Sequence, residues 1–248
     1  SHLLSAPELA AALGIVLLGS TVMGLAGFGM GMVIAPVLLL FMEPQTVVIT
    51  VVGLSIPTLG LVRLQSRQDL EGHDVVPLTV GGLAALPSAV LLLNSAAPGV
   101  LRITIAVIVL CLAVISILDI RRPLPRNPVI GSAFGFAGSM LTMSLGVGMP
   151  IVALFLTNQG LNARAVRASM AAYYLVVASV TFVVYGVIGL LPLERLLLLA
   201  EMAPVAVVGF LAASKLVDRT NDRVLRRIVL VVIVASSVAL LGREMAGV

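Results

Sequence analysis

Long apolar runs, separated by short polar breaks, dominate this sequence. A run of about 20 apolar residues is long enough to cross the hydrocarbon core of a bilayer as a helix. Only 10% of the 248 residues are charged and 60% are hydrophobic, so the chain lacks the polar side chains that a water-facing surface needs. We therefore exclude a soluble globule and predict an all-α polytopic membrane protein. The eight runs cover approximately 9–42, 46–64, 75–93, 100–120, 129–157, 166–190, 196–214 and 225–242.

The residue inventory removes several classes of function. The chain has two His, one Cys and no Trp, and it contains no complete phosphate-binding glycine motif. Haem, zinc and nucleotide sites need ligands that it lacks. We expect no catalytic residue, no metal and no cofactor. The basic residues are scattered through short loops without interleaved aromatics, so the net charge of +4 indicates membrane orientation rather than nucleic-acid binding.

The chain divides into two halves of four apolar runs around a polar stretch at 121–128, which carries three Arg and three Pro. The motif GLAG (24–27) in the first half is matched with GFAG (135–138) in the second. Internal repeats of this size are typical of transporters built from two related bundles. We predict a first membrane repeat at 1–120, a central cytoplasmic linker at 121–128 and a second membrane repeat at 129–248.

The first run of each half is too long and too rich in glycine for one simple crossing. Residues 9–42 correspond to about 50 Å of helix, against about 30 Å for the hydrocarbon core. Glycines lie in its middle, where unwinding costs least, and would leave legs of about 15 and about 11 residues. In the second half the predicted break is 142–149, and Pro150 would open the next helix. We predict a re-entrant, broken-helix hairpin in each half.

The positions of the cations test this topology. If the first and fifth runs turn back inside the membrane, twelve of the 15 Lys and Arg residues share one side, and only Arg102, Arg195 and Arg243 remain opposite. The positive-inside rule places the larger group in the cytoplasm. We predict two inverted repeats, each with one hairpin and three transmembrane helices, and both termini outside.

Inverted halves would bring the two hairpin tips together near the middle of the membrane. Unwound backbone is tolerated there only where protein or water satisfies it, so we expect the tips to line a substrate path. The helices that begin near Pro36 and Pro150 would direct free N–H groups to the centre, which favours an anion. Hydroxyl groups near the tips and on the helices that follow them are further candidate ligands. These are Ser55, Thr58, Thr142, Ser144, Ser169 and Tyr173.

Several of these residues have an alternative interpretation. For each hydroxyl alone, hydrogen bonding within the helix bundle is the simpler role. Glu201 lies inside an apolar run and is a candidate for proton coupling, but it is only about 9 Å of helix from Arg195, so an interfacial acid is the alternative. Arg167 is either an anchor at the cytoplasmic surface or a gate for anions at the inner mouth.

Two glycine-rich motifs carry a family likeness, GLAGFGMGMVIAPVLLL (24–40) and GVGMPIVALFLTNQGLNARAVRASMAAYYL (146–175). At these residues the sequence resembles the TauE/SafE family of sulfite and sulfonate permeases. The resemblance implies a two-repeat permease that moves sulfite, a sulfonate or another small organic anion across the bacterial inner membrane. Met30, Met32 and Met149 depart from the family pattern, and these bulkier residues would favour an anion with an organic tail. The tip positions that the resemblance implies are Gly27, Gly29, Gly31, Pro36, Gly146, Gly148 and Pro150.

We predict a secondary transporter that works by alternating access at a site between the two hairpin tips. An anion channel of the same architecture and a membrane scaffold subunit that transports nothing are the alternatives. The expected partners are a small anionic substrate and the lipid bilayer, without nucleic acid, and the sequence allows an oligomer. The identity of the anion, the direction of transport and the coupling ion do not follow from the sequence.

Overall fold

All the regular secondary structure in the described residues is helical. A computed structural model of the protein describes residues 4–70, 72–118, 125, 127–216 and 222–245. The first half comprises α1 (Ala6–Ala26), α2 (Met30–Leu38), α3 (Pro44–Gln65), α4 (Gly72–Ala84), α5 (Leu86–Ser95) and α6 (Pro98–Leu118), with a short 3-10 helix at Arg67–Asp69. The second half comprises α7 (Pro128–Leu145), α8 (Met149–Asn158), α9 (Ala163–Val187), α10 (Leu193–Leu216) and α11 (Asp222–Met245).

The two halves show the same order of helix lengths. In each half a long helix is followed by a short one, α2 with nine residues and α8 with ten, and then by further long helices. α4 and α5 together occupy the place that α10 has in the second half, with a bend of 41° between them. Of the predicted linker at 121–128, residues 121–124 and 126 lie outside the described residues, and Pro128 begins α7.

Six of the described helices are long and apolar enough to cross a membrane, namely α1, α3, α6, α7, α9 and α10. The bent pair of α4 and α5 is a seventh if it forms one span. This set confirms a multi-pass membrane protein.

The observed helix lengths correct one prediction. α1 has 21 residues and α7 has 18, so the first leg of each hairpin is longer than the half-bilayer leg that we predicted and is long enough to cross a membrane. α1 begins early because the carboxylate of Glu8 accepts hydrogen bonds from the backbone N–H and the hydroxyl of Ser5, and it stays helical through Gly24. The last helix, α11, has 24 residues, and its described apolar part is Leu230–Arg243.

The match between the motifs at 24–27 and 135–138 is also wrong. Residues 24–27 end α1, whereas residues 135–138 lie within α7, ten and seven residues before its end at Leu145. The order of the helices makes Gly146, which follows α7, the counterpart of Gly27. Glycines at helix crossings and glycines at helix ends look alike in a sequence, which explains the error.

Helices of the two halves pack against each other in reciprocal pairs. The most extensive contacts join α1 to α10 and α4 to α7, while α3 packs against α9 and α6 against α11. Both extensive contacts depend on glycine. A Cβ atom added to Gly24 would lie 2.6 Å from the carbonyl oxygen of Phe210, and one added to Gly81 would lie 1.9 Å from that of Ser132. Such small residues let two helix backbones approach closely, which is a main source of packing energy in a membrane.

Hydrogen bonds and an ion pair define two opposite ends of the helix bundle. At the end that we call the Gln65 end, Gln65 bonds to Arg167 and to Ser214, so the end of α3, the start of α9 and the end of α10 lie together. At the other end, the Glu43 end, Glu43 lies 3.8 Å from Arg195, which joins the starts of α3 and α10. These ends are separated by the length of α3, about 33 Å.

The first and the last helix can be assigned to the same end. Arg243, near the end of α11, donates a hydrogen bond to the carbonyl of Leu40, which lies next to the start of α3. α1 runs parallel to α10, because Ser20 lies beside Gly209 while Gly24 lies beside Ala213, so both helices advance by one turn between the two contacts. α1 therefore begins, and α11 ends, at the Glu43 end of the bundle.

Candidate functional site

The two long first helices end in the same way. Gly27 follows α1 with φ +81°, and its N–H bonds to the carbonyl of Met23 at 2.8 Å. Gly146 follows α7 with φ +79°, and its N–H bonds to the carbonyl of Thr142 at 2.9 Å. Both are left-handed helix caps, a conformation that glycine adopts without steric cost. The glycine patterns therefore predicted correctly where the two helices are interrupted.

The short helices begin directly after these caps. Gly29 precedes α2 and Gly148 precedes α8, and Pro150 lies in the first turn of α8 as predicted. Pro36 does not open α2 as predicted, because α2 already begins at Met30 and Pro36 lies inside it. Similarly, the second break is limited to 146–148, so Thr142 and Ser144 lie in the last turn of α7 rather than in the break.

The two breaks touch each other inside the protein. A Cβ atom added to Gly31, in the first turn of α2, would lie 1.9 Å from the carbonyl oxygen of Gly146 and 3.0 Å from a methyl group of Val51 on α3. Gly31, Val51 and Gly146 are all buried. The start of α2 thus lies directly against the end of α7, although 115 positions separate these two glycines in the sequence.

Three of the six predicted hydroxyl ligands bond to carbonyls of their own helices. The hydroxyl of Ser55 donates to the carbonyl of Val52 at 2.6 Å, and that of Thr58 donates to the carbonyl of Leu54 at 3.0 Å. Ser144 donates in the same way to the carbonyl of Met140. These bonds use the proton of each hydroxyl and leave its oxygen able to accept. Ser169 differs, since its hydroxyl is buried and has no hydrogen-bond partner within the described part of the chain.

Tyr173 connects α9 to α7 through its phenol group. Its hydroxyl donates to the carbonyl of Gly135 at 2.6 Å and lies 2.5 Å from the hydroxyl of Ser139. Two further tyrosines make equivalent contacts that sequence reasoning missed. Tyr174 accepts a bond of 3.4 Å from Thr142, and Tyr185 donates to the carbonyl of Met143. All three tyrosines of the chain lie on α9, and this clustering was the available signal.

Arg167 lies beside the first break. A Cβ atom added to Gly27 would lie 2.5 Å from Cγ of Arg167, so the aliphatic part of this side chain packs directly on the glycine. The guanidinium donates a hydrogen bond of 3.2 Å to Oε1 of Gln65, and Nε2 of Gln65 lies 3.4 Å from the hydroxyl of Ser214. Sequence reasoning missed Gln65, because it looks like an ordinary polar residue at a helix end.

Glu201 lies on α10. Its side chain is exposed on the outer face of α10, whereas its neighbours Leu198 and Met202 are buried in the bundle.

Comparison with protein families matches the sequence to a known group. The model of the sulfite exporter TauE/SafE family matches residues 11–240, which include both breaks and all the helices around them. The chain belongs to the TauE/SafE family. This confirms the resemblance of the two glycine-rich motifs and makes the chain a membrane protein of a transporter family. Comparison with curated proteins gives no significant match, nor does comparison with solved structures.

The TauE/SafE match covers both halves of the chain. The matched range includes the candidate residues Gly27, Gly29, Gly31, Gly146, Gly148 and Pro150. The arrangement around them is a buried contact between two helix interruptions, with one cation, Arg167, beside the first.

Proposed function

We propose that this protein is a secondary transporter of a small anion, such as sulfite, a sulfonate or a related organic anion. The substrate is bound between the two breaks, and rocking of one half of the protein against the other exposes it to each side in turn. The observation that carries this proposal is the contact of Gly31 with Gly146, since it brings two interrupted helices together inside a membrane protein.

The chemistry at this contact supports an anionic substrate. α2 and α8 both begin at the breaks, and the first N–H groups of a helix lack partners within that helix. The aligned peptide dipoles add partial positive charge at the same place, which favours a negatively charged ligand. The direct contact between Gly31 and Gly146 leaves no space for an anion between them, so binding requires the two halves to separate.

The candidate lining follows from the same arrangement. Thr142 is close to the second break, because a Cβ atom added to Gly148 would lie 2.6 Å from its hydroxyl oxygen. The unpartnered hydroxyl of Ser169 is free to bond to a substrate when the halves move. We propose that the glycines and prolines of the breaks, with nearby hydroxyls, line the path. The hydroxyl residues in this set are Ser55, Thr58, Thr142, Ser144, Ser169 and Tyr173.

The reciprocal packing supports two inverted repeats at 1–120 and 129–248, joined by the linker at 121–128. If each helix is replaced by its counterpart in the other half, the contact between α1 and α10 becomes a contact between α7 and the α4–α5 pair. Both contacts occur in the structure. The contacts of α3 with α9 and of α6 with α11 each join a helix to its own counterpart, so this replacement leaves them unchanged. A two-fold relation has this property, whereas a simple translation does not.

The charges at the two ends of the bundle support one orientation. Five cations lie at the Gln65 end, on the helix ends that meet there or next to them, namely Arg63, Arg67, Arg164, Arg167 and Lys215. Arg195 and Arg243 lie at the Glu43 end. By the positive-inside rule the Gln65 end faces the cytoplasm of a bacterial cell, and the first and last helices have their outer ends on the opposite side of the inner membrane.

Reconstitution into liposomes tests the proposal. Purified protein in liposomes loaded with sulfite or methanesulfonate should give efflux that saturates as the internal anion concentration rises. Flux that rises linearly would favour the channel, and no flux of any small anion would favour the scaffold. The matched variants are Gly31→Ala, in which the added Cβ atom meets the Gly146 carbonyl, and Gly60→Ala on α3, in which it meets nothing within 4 Å.

A further inference from the structure

We infer that Arg167 recognises the anion at the Gln65 end of the protein, directly beside the break that follows α1. This inference rests on the proposed transport function and adds a specificity-determining residue to it. Of the two interpretations of Arg167, it favours a role in anion recognition over a simple anchor.

The position of the side chain is the first support. The aliphatic stem of Arg167 lies over the break, with Cγ and Cδ at 2.5 and 3.0 Å from the place of a Cβ atom added to Gly27. The guanidinium is held there by Gln65. The absence of a side chain at Gly27 is what lets the arginine lie over the break. A half-buried positive charge therefore lies next to the break.

The partner of the guanidinium is the second support. Gln65 is neutral, and among the described residues no carboxylate forms an ion pair with Arg167. Within the described part of the chain, the guanidinium is therefore held by a hydrogen bond to an uncharged amide. A guanidinium offers five N–H donors in one plane and binds oxyanions through two parallel hydrogen bonds, as sulfite and sulfonate groups allow. An arriving anion can displace Gln65 and form a stronger, charge-assisted pair.

The difference between the two breaks is the third support. Arg167 of α9 covers Gly27, and Val51 of α3 covers Gly146, with its Cβ 3.7 Å from the place of an added Cβ atom. Each break is therefore covered by an early residue of the long helix that follows the other hairpin. Of these two residues only Arg167, at the Gln65 end, is charged. Recognition of the anion before it reaches the breaks therefore occurs on that side alone.

Transport kinetics test this inference. In liposomes with uniformly oriented protein, Arg167→Gln should raise the KM for sulfite by about tenfold or more when sulfite is supplied at the Gln65 side. Arg167→Lys should recover only part of this loss, since an ammonium group keeps the charge but lacks the planar pair of donors. Gln65→Glu should raise KM to a similar extent, because the new carboxylate pairs with Arg167 and competes with the anion.

The matched control is Ser214→Ala. It removes the hydroxyl 3.4 Å from Gln65 without changing any charge, so KM should stay within about twofold of the original value. An anchor role predicts a different result, in which Arg167→Gln lowers the melting temperature and the maximal rate but leaves KM and its dependence on ionic strength unchanged.

The outcomes separate this inference from the proposed function. If the original protein transports sulfite with saturation but both Arg167→Gln and Gln65→Glu leave KM unchanged, the inference is wrong and the transport function stands. If the original protein gives no saturable anion flux, the proposed function itself fails. A rise in KM from the Glu43 side, without one from the Gln65 side, would also overturn the inference.

Discussion

The Cα atom of Gly31 faces the carbonyl oxygen of Gly146 so closely that a Cβ atom at position 31 would lie 1.9 Å from it. Real Cβ atoms are not found at this distance from an oxygen, so any other residue at position 31 must push α2 away from the end of α7. The contact is between two backbones rather than two side chains, and rotation of a side chain cannot relieve the clash.

Gly31→Ala is therefore expected to reduce anion transport by about tenfold or more and to lower the melting temperature of the detergent-solubilised protein. Flux from loaded liposomes and thermal unfolding measure the two effects. Gly60→Ala should change neither, because the added methyl group on α3 meets no atom within 4 Å and alanine favours a helix. Equal behaviour of the two variants would show that the contact between the breaks is unimportant.

The left-handed cap at Gly27 gives a second prediction. Alanine at a positive φ costs about 1–2 kcal/mol of folding free energy, and at Gly27 the added methyl group must also displace the stem of Arg167. Gly160→Ala isolates the first cost, because Gly160 has φ +84° and nothing lies within 4 Å of its added Cβ atom. We expect Gly27→Ala to destabilise the protein more than Gly160→Ala does, measured by SDS titration in mixed micelles.

The glycine pattern predicted the interruption of two helices. A left-handed helix cap and an N-cap both favour glycine, so closely spaced glycines, as at 27–31 and 146–148, indicate the end of one helix and the start of the next. The lengths of the helices were not predictable in the same way. We predicted unwinding near the middle of the apolar run at 9–42, whereas α1 continues through Gly24. That glycine stays helical because Phe210 packs against it, and this contact lies 186 positions away in the sequence.

The partners of the polar side chains were harder to predict for a related reason. Arg167 lies 140 positions from Gly27, and nothing in either local sequence indicates that they touch. Tyr185 similarly bonds to a backbone carbonyl on another helix, and a carbonyl carries no residue-specific signal. The chemistry of single residues was therefore predictable from the sequence, while their pairing depended on the packing of the helices.

The bond from Tyr185 to the carbonyl of Met143 gives a third prediction. Tyr185→Phe removes a buried hydrogen bond between α9 and α7, and we expect a loss of about 1 kcal/mol in unfolding free energy. Thr181→Val is the matched control, since among the described residues the Thr181 hydroxyl bonds to the carbonyl of Val177 in its own helix, at 2.7 Å, and to no other helix. That variant should cost less, because the helical bond of Val177 persists. A larger loss for Thr181→Val would contradict a stabilising role for the bond between α9 and α7.

The proposed orientation gives a fourth prediction. Single cysteines are placed in a Cys111→Ser background at Ala6 and Gly242, which lie towards the Glu43 end, and at Gln68, next to the Gln65 end. All three positions are exposed. A membrane-impermeant maleimide added to intact spheroplasts should label the cysteines at 6 and 242, and should label the one at 68 only after lysis. Labelling of 6 and 242 from opposite sides would overturn the inverted arrangement.

Glu201 gives the last prediction, and it concerns coupling. Because its side chain is exposed on the outer face of α10, while Leu198 and Met202 face the core, we expect it to be an interfacial acid. Glu201→Gln should then keep sulfite flux within about twofold, with and without an imposed pH gradient across the liposome membrane. If the variant loses the flux driven by the pH gradient but keeps sulfite exchange at equal pH, Glu201 has a proton-coupling role instead. The two measurements on one variant therefore distinguish an acid that lies beside the transport path from one that drives it.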